Sequence, residues 1–236
     1  MTYQTTVASQ KTAARIAGFT LLLLIASGLT GMLVFQNNLQ VAGDAAATAR
    51  NILAHERSFR AGIICEIIMF NCDVVLALAL YALLKPINGP LALLGSFWRI
   101  ANATVLGMGA AASLVALDAI SGAHYLAVFT PDQQHALSLL FFDVHDSAST
   151  IGLMFFCLGA AVHSYLLFKS RYIPQMLSAL YLGVALQMLL CCFAIILFPH
   201  LSDVLGIWWV LPDFFVELAV ALWLAFKGAR IPSGVA

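Results

Sequence analysis

Five ionisable residues stand where water is scarce. Glu66, Asp73, Arg99, Asp213 and Glu217 all fall within long apolar stretches of the chain. At mid-bilayer a charge costs roughly 2.5–3.5 kcal/mol on insertion scales. Such groups persist by pairing, by facing a wet cavity or by taking part in a function. Arg99 cannot shed its proton and needs an anion. A bidentate carboxylate, Asp73 or Glu217, is the natural partner. Acids beyond that pair must be neutral or reach water, the condition that proton relays, ion-coupled carriers and acid–base catalysts exploit.

Spacing brings several of these groups to one level. Asp73 precedes Lys85 by 12 residues, and Glu217 precedes Lys227 by 10. At a rise of about 1.5 Å per residue they lie about 18 and 15 Å from the basic end of their helices. Arg99 is about 15 Å in from Gly89, and Asp213 is about 21 Å deep, one turn from Glu217. Asn71, Asn102 and Gln187 fall near these levels, and Glu66 lies two turns above Asp73. Three helices thus bring an ionisable group to one layer. A helix-packing lock accounts for Asp73–Arg99–Glu217; one Arg facing up to four acids exceeds what a lock requires.

A second polar set lies toward the opposite end. His145, Asp146 and Ser149 are close in sequence, with His145 and Ser149 one turn apart. Solvated loop chemistry explains most of the histidines, His124, His135 and His200 included. No HxxxH or HExxH spacing occurs, so no metal site is assigned, and no nucleophile motif or phosphate loop identifies a catalytic residue or cofactor. His163, alone within an apolar stretch, reads as hydrogen-bonded packing. The five cysteines all fall in apolar stretches without CxxC spacing and read as small buried residues.

The elements that must position these groups are transmembrane helices. The chain has 236 residues, 62% hydrophobic and 9% charged, with a mean hydropathy of +0.96. Soluble domains are about 25% charged, so the composition predicts an all-α, polytopic membrane protein. Net charge is zero, which gives no electrostatic case for nucleic acid. A crossing needs about 20 largely apolar residues. Six segments qualify, roughly 16–35, 61–84, 91–117, 148–168, 176–198 and 205–226, forming one six-helix transmembrane domain over 1–236. Lys11 and Arg15 precede the first run, but its length exceeds that of a signal sequence and no Ala-x-Ala site follows promptly; a retained helix is predicted. Seven Lys and Arg residues flank one side of the spans and three the other, which predicts both termini in the cytoplasm.

The connections carry their own signals. Gly43-Asp44 reads as a turn and N-cap before an Ala-rich helix. Ile52, Leu53 and Phe59 are expected on the bilayer surface, with a cap over the helices as the alternative. Pro131-Asp132 is expected to start a helix running into the fourth span. Phe168–Pro174 echoes Phe226–Pro232, and Leu84-Lys85-Pro86 is a shorter version. A Lys at a helix end and a following Pro produce that pattern without duplication. Small residues from Gly107 to Ser113 suggest close helix contact.

Gly43-Asp44…Thr48…Asn51, Phe59-Arg60, Asp73 with Leu84-Lys85-Pro86…Asn88, Arg99, Lys169-Ser170…Ile173-Pro174 and Glu217…Trp223-Leu224…Lys227-Gly228 resemble the bacterial multi-pass family labelled domain of unknown function 4386. The resemblance covers nearly the whole chain. It implies a protein of the bacterial cytoplasmic (inner) membrane and no particular activity. In the fourth span the family pattern places a His after Phe-Phe-Gly-Leu; here Phe155-Phe156-Cys157-Leu158 is followed by Gly159, and His163 comes one turn later.

The reading favoured is a small-molecule or ion-coupled carrier using Glu66, Asp73, Arg99, Asp213 and Glu217. The alternatives are a membrane-embedded enzyme acting on a lipid-like substrate, with His145 and Asp146 near the central acids, and a non-catalytic partner protein. The lipid bilayer is the expected surrounding. Six spans are few for a carrier unless two copies pair, so a homodimer suits that reading.

Overall fold

The computed structural model describes residues 7–35, 39–41, 43–122 and 124–231, apart from the side chains of Val7 and Asp203. Pro232 of the echoed motif lies outside them. The described residues form helices joined by turns and short irregular links, without strands. Helix α1 is Val7–Thr30, running into a π-helical turn at Gly31–Phe35; α2 is Ala45–Ala54, α3 Glu56–Leu84 and α4 Gly89–Ile120. Then come α5, Pro131–Ser170; α6, Gln175–Leu197; the short α7, Leu201–Leu205; and α8, Leu211–Leu222, continued by a π-helical turn at Trp223–Lys227.

Among the described residues, five helices are long and apolar enough to cross a membrane, those of the first five expected spans. This is a membrane protein. The sixth expected span, 205–226, differs from its expected form. Its first residues turn rather than wind, and continuous helix begins only at Leu211, just before Pro212. Proline suits the first turn, where its missing N–H costs nothing. The helix ends through the Gly228 N–H to Trp223 carbonyl bond at 3.0 Å, with Gly228 at φ 68°.

Local sequence accounts for the helix starts. Asp44 caps α2 by accepting from the Ala47 N–H at 2.8 Å. At α5, the Thr130 N–H donates to Gln133 Oε1 at 2.9 Å and the Gln133 N–H to Thr130 Oγ1 at 3.4 Å, a reciprocal capping box around Pro131. That start gives α5 its 40 residues, about 60 Å of helix, twice the hydrocarbon thickness of about 30 Å.

The described residues group into two compact units. One comprises Met1–Leu23, Cys72–Ala103 and Ile151–Ala236; the other comprises Leu24–Asn71 and Thr104–Thr150. In the first, α6 packs on α8. The helix-end motifs meet there: the Arg230 N–H donates to the Tyr172 carbonyl at 2.9 Å, while Gln10 reaches the Leu83 carbonyl and the Tyr172 hydroxyl. Gly18 lies against the Ala225 backbone so closely that a Cβ would overlap it.

In the second unit, α2 buries one stripe against protein. Ile52 and Phe59 are buried, and Phe59 meets Phe142 edge-on at 5.8 Å. Only Leu53 of the expected surface trio is exposed. The reason is helical register: Thr48, Ala49 and Ile52 share the buried stripe, and Leu53, about 100° round from Ile52, cannot join it.

Candidate functional site

The Arg99 centre is built entirely within the first unit. Asp73 on α3 and Arg99 on α4 are buried, Arg99 completely. Arg99 Nε donates to Asp73 Oδ1 at 2.6 Å, and Asn102 Nδ2 donates to Asp73 Oδ2 at 2.8 Å. Each carboxylate oxygen therefore has its own donor. The expected bidentate fork does not form, because Asn102, one turn along α4 from Arg99, takes the second oxygen. Ser96 Oγ donates to the Ala77 carbonyl at 2.8 Å and fixes α4 against α3 nearby.

Helix α5 supplies the room. Phe156 presents its ring to the guanidinium, with 4.9 Å between Cζ and the ring centroid, a cation–π contact. A Cβ on Gly159 would come within 3.0 Å of Arg99 Cγ, so a side chain there competes with the arginine stem. His163 is fully buried against Gly95, where a Cβ would stand 2.8 Å from Nε2. Its ring makes no well-formed hydrogen bond to the described residues beyond a weak approach to the Ala92 backbone. His163 is thus a packing residue, held by close steric contact with Gly95 and an approach to the Ala92 backbone.

Helix α8 adds the surplus acids. Glu217 Oε1 lies 3.9 Å from Arg99 Nη2 and accepts from the Tyr181 hydroxyl of α6 at 3.4 Å. The first distance is an ion pair without a direct hydrogen bond. Asp213 is buried on the same helix, and its Oδ1 makes no hydrogen bond; neither do Arg99 Nη1 and Nη2. Three buried carboxyls thus surround one guanidinium, with donor and acceptor capacity unspent on both sides.

Of the expected central set, Asp73, Arg99, Asp213 and Glu217 come together here. Asn102 joins them. Asn71 is exposed and donates to its own helix at Ile67, and Gln187 reaches the Trp209 carbonyl. Tyr181 and Phe156 are additions that the charge pattern does not indicate. A tyrosine inside an apolar span is a polar group at depth, a signal that Tyr181 shares with Tyr81 and Tyr165. Nothing in the sequence distinguishes Phe156 from its aromatic neighbours.

Glu66 belongs to a different group, in the second unit. His145 Nε2 lies 4.0 Å from Glu66 Oε1, and His145 Nδ1 is 2.9 Å from Ser113 Oγ, with the donor set by the tautomer. Gly109, one turn before Ser113, lies beside the ring, where a Cβ would make ordinary contact at 3.6 Å from Nδ1. Three helices, α3, α4 and α5, meet at this histidine. The expected His145–Asp146–Ser149 grouping is rearranged accordingly: Asp146 is exposed, about 100° round the helix from His145. Ser149 is only half-buried. Among the described residues no group of three or more His, Cys, Asp or Glu side chains is gathered as metal ligands would be.

The sequence profile of the family described as Domain of unknown function (DUF4386) matches residues 16–228. The chain belongs to the DUF4386 family. The match takes in every helix of the Arg99 centre and of the His145 group. No curated protein and no solved structure matches this DUF4386 chain. Family and architecture therefore describe an integral membrane protein of unknown activity, and the chemistry must be read from the side chains.

Proposed function

We propose that this is a multi-pass protein of the bacterial cytoplasmic membrane whose Arg99 centre is the coupling site of a small-molecule or ion-coupled carrier. The observation that carries this reading is the excess of buried carboxyls over positive charge: Asp73, Asp213 and Glu217 against Arg99. A lock needs one acid for one base. Additional acids in a low-dielectric setting are expensive, and ion pathways are where membrane proteins keep them.

The carrier reading goes with six crossings and cytoplasmic termini. The 12-residue α8 and its five-residue π-helical continuation together reach the lower end of crossing lengths, about 17 residues. Exposed Trp208 precedes the segment and Lys227 ends it, which are the anchors that interfaces favour. Single cysteines introduced at residues 50 and 169 should react with a membrane-impermeant maleimide from opposite sides of the membrane. Equal reactivity from one side would refute the topology.

Transport is tested in proteoliposomes screened for charge movement against amino acids, amines and organic acids. The wild type should show a solute-dependent current that Glu217→Gln abolishes while expression and folding persist. A current indifferent to Glu217→Gln would remove the centre from the mechanism.

A membrane-embedded hydrolase is the second reading, favoured by the 2.9 Å Ser113–His145 contact with Glu66 beyond it. It ranks second for a physical reason. Ser113 lies within α4, where backbone N–H groups are committed to the helix and cannot stabilise an oxyanion.

A further inference from the structure

The three acids of the Arg99 centre are not equally held. Asp73 is saturated: one oxygen receives Arg99 Nε, the other receives Asn102. The charges of Arg99 and Asp73 therefore cancel. Asp213 and Glu217 remain on α8, one turn apart and both buried. Two like charges at that spacing repel, and burial penalises each of them separately. Among the described residues, the groups that act on them are Asp73 from α3, Arg99 from α4, Cys157 from α5 and Tyr181 from α6, and of these only Arg99 is a cation. His163 lies beside Arg99 in a fully buried site.

The unspent hydrogen-bonding capacity has a definite pattern. Arg99 Nη1 and Nη2 offer donors, Asp213 Oδ1 offers an acceptor, and 3.9 Å separates Arg99 Nη2 from Glu217 Oε1. A guest that satisfies them must both accept and donate. Water does both, and a polar contact beyond about 3.5 Å is the span a bridging water covers. A sodium ion can only accept lone pairs and would sit against a guanidinium.

We propose that Asp213 and Glu217 form a proton-binding pair, bridged by water to Arg99, and that the coupling ion of this protein is H⁺, not an alkali cation. This rests on the reading of the Arg99 centre as a coupling site and names the ion that it takes. The balance is simple: a proton from water converts one carboxylate of the pair to a carboxylic acid, and its release restores the anion.

Infrared difference spectroscopy of the full chain in lipid nanodiscs, between mildly acidic and alkaline pH, reads this directly. The wild type should show a protonated-carboxyl C=O band that disappears on raising the pH. The Asp213→Asn/Glu217→Gln double variant should lose that band. If the double variant does not fold, Asp213→Asn alone should shift or weaken it. A band unchanged by either variant overturns the proposal. So does a band abolished by sodium at constant pH, which would assign the site to an alkali cation. The outcome is separable from transport: a variant-sensitive band without any solute current would defeat the carrier and leave the proton pair standing.

Discussion

The Arg99 centre and the His145 group solve the same problem with different chemistry. Each joins polar groups from three or more helices in an otherwise apolar chain. The first is built on a base that stays charged, so its surroundings are committed. Arg99 has no exposed side-chain surface, its carboxylate partner is at 2.6 Å, and that carboxylate is in turn held by Asn102. The second is built on a base that can be neutral. His145 keeps 19% of its side chain exposed, its carboxylate neighbour stands at 4.0 Å, and its one short contact is with a hydroxyl. A permanent charge in the interior demands a close, buried counter-charge; a neutral-capable ring accepts a distant one. The two groups should therefore fail by very different amounts when a member is removed.

The largest effect is expected from splitting the Asp73–Arg99 pair. Asp73→Asn takes from Arg99 its directly hydrogen-bonded carboxylate and leaves Glu217 at 3.9 Å as the ion-pair partner; removal of one member of a buried pair typically costs about 3–5 kcal/mol. Thermal unfolding in detergent should show a large loss of stability or no folded protein. Replacing both members by leucine should recover much of the loss, because it removes the stranded charge. Equal loss in the single and double variants would mean that the pair is not the source of the cost.

Next is Gly159→Ala. A methyl group there meets Arg99 Cγ and the Gly95 carbonyl, both at 3.0 Å. Overpacking of this kind costs about 1–3 kcal/mol, read by the same unfolding assay. Gly109→Ala, whose Cβ would meet nothing closer than 3.3 Å in the His145 group, should cost less. A reversed order would show that the looser shell is the more constrained one.

Glu217→Gln comes third in stability and first in function. Glu217 is held by an ion pair at 3.9 Å and a 3.4 Å hydrogen bond from Tyr181, and glutamine keeps an acceptor for the tyrosine. The expected destabilisation is about 1 kcal/mol or less, together with loss of solute-dependent current. A loss as large as that of Asp73→Asn would place Glu217 in the lock.

The contrast between the two groups also marks what is legible in the sequence. Depth along a helix follows from counting residues, so the convergence of Asp73, Arg99 and Glu217 can be read from the chain alone. The five long helices follow from apolar runs, and the Asp44 cap from its side chain. Azimuth is harder. Apolar residues surround the long spans on most faces, so no stripe indicates which way Glu66 points, and its pairing with His145 is hidden for that reason. Neighbours in sequence mislead at His145–Asp146, because adjacent helical residues diverge by about 100°. The start of the last helix is masked because Leu205–Val210 is as apolar as the helix that follows it.

The smallest effect belongs to Ser113→Ala. It removes one 2.9 Å hydrogen bond to His145, typically worth about 0.5–1.5 kcal/mol. The His145 ring retains partial exposure, so water can replace the hydroxyl and the cost should fall at the lower end. His145→Ala should cost more, because it also removes the ring packed beside Gly109. The difference isolates packing from hydrogen bonding. If Ser113→Ala instead matched Asp73→Asn in an unfolding experiment, the His145 group would be as closed as the Arg99 centre, and neutrality of the base would not explain its looser geometry.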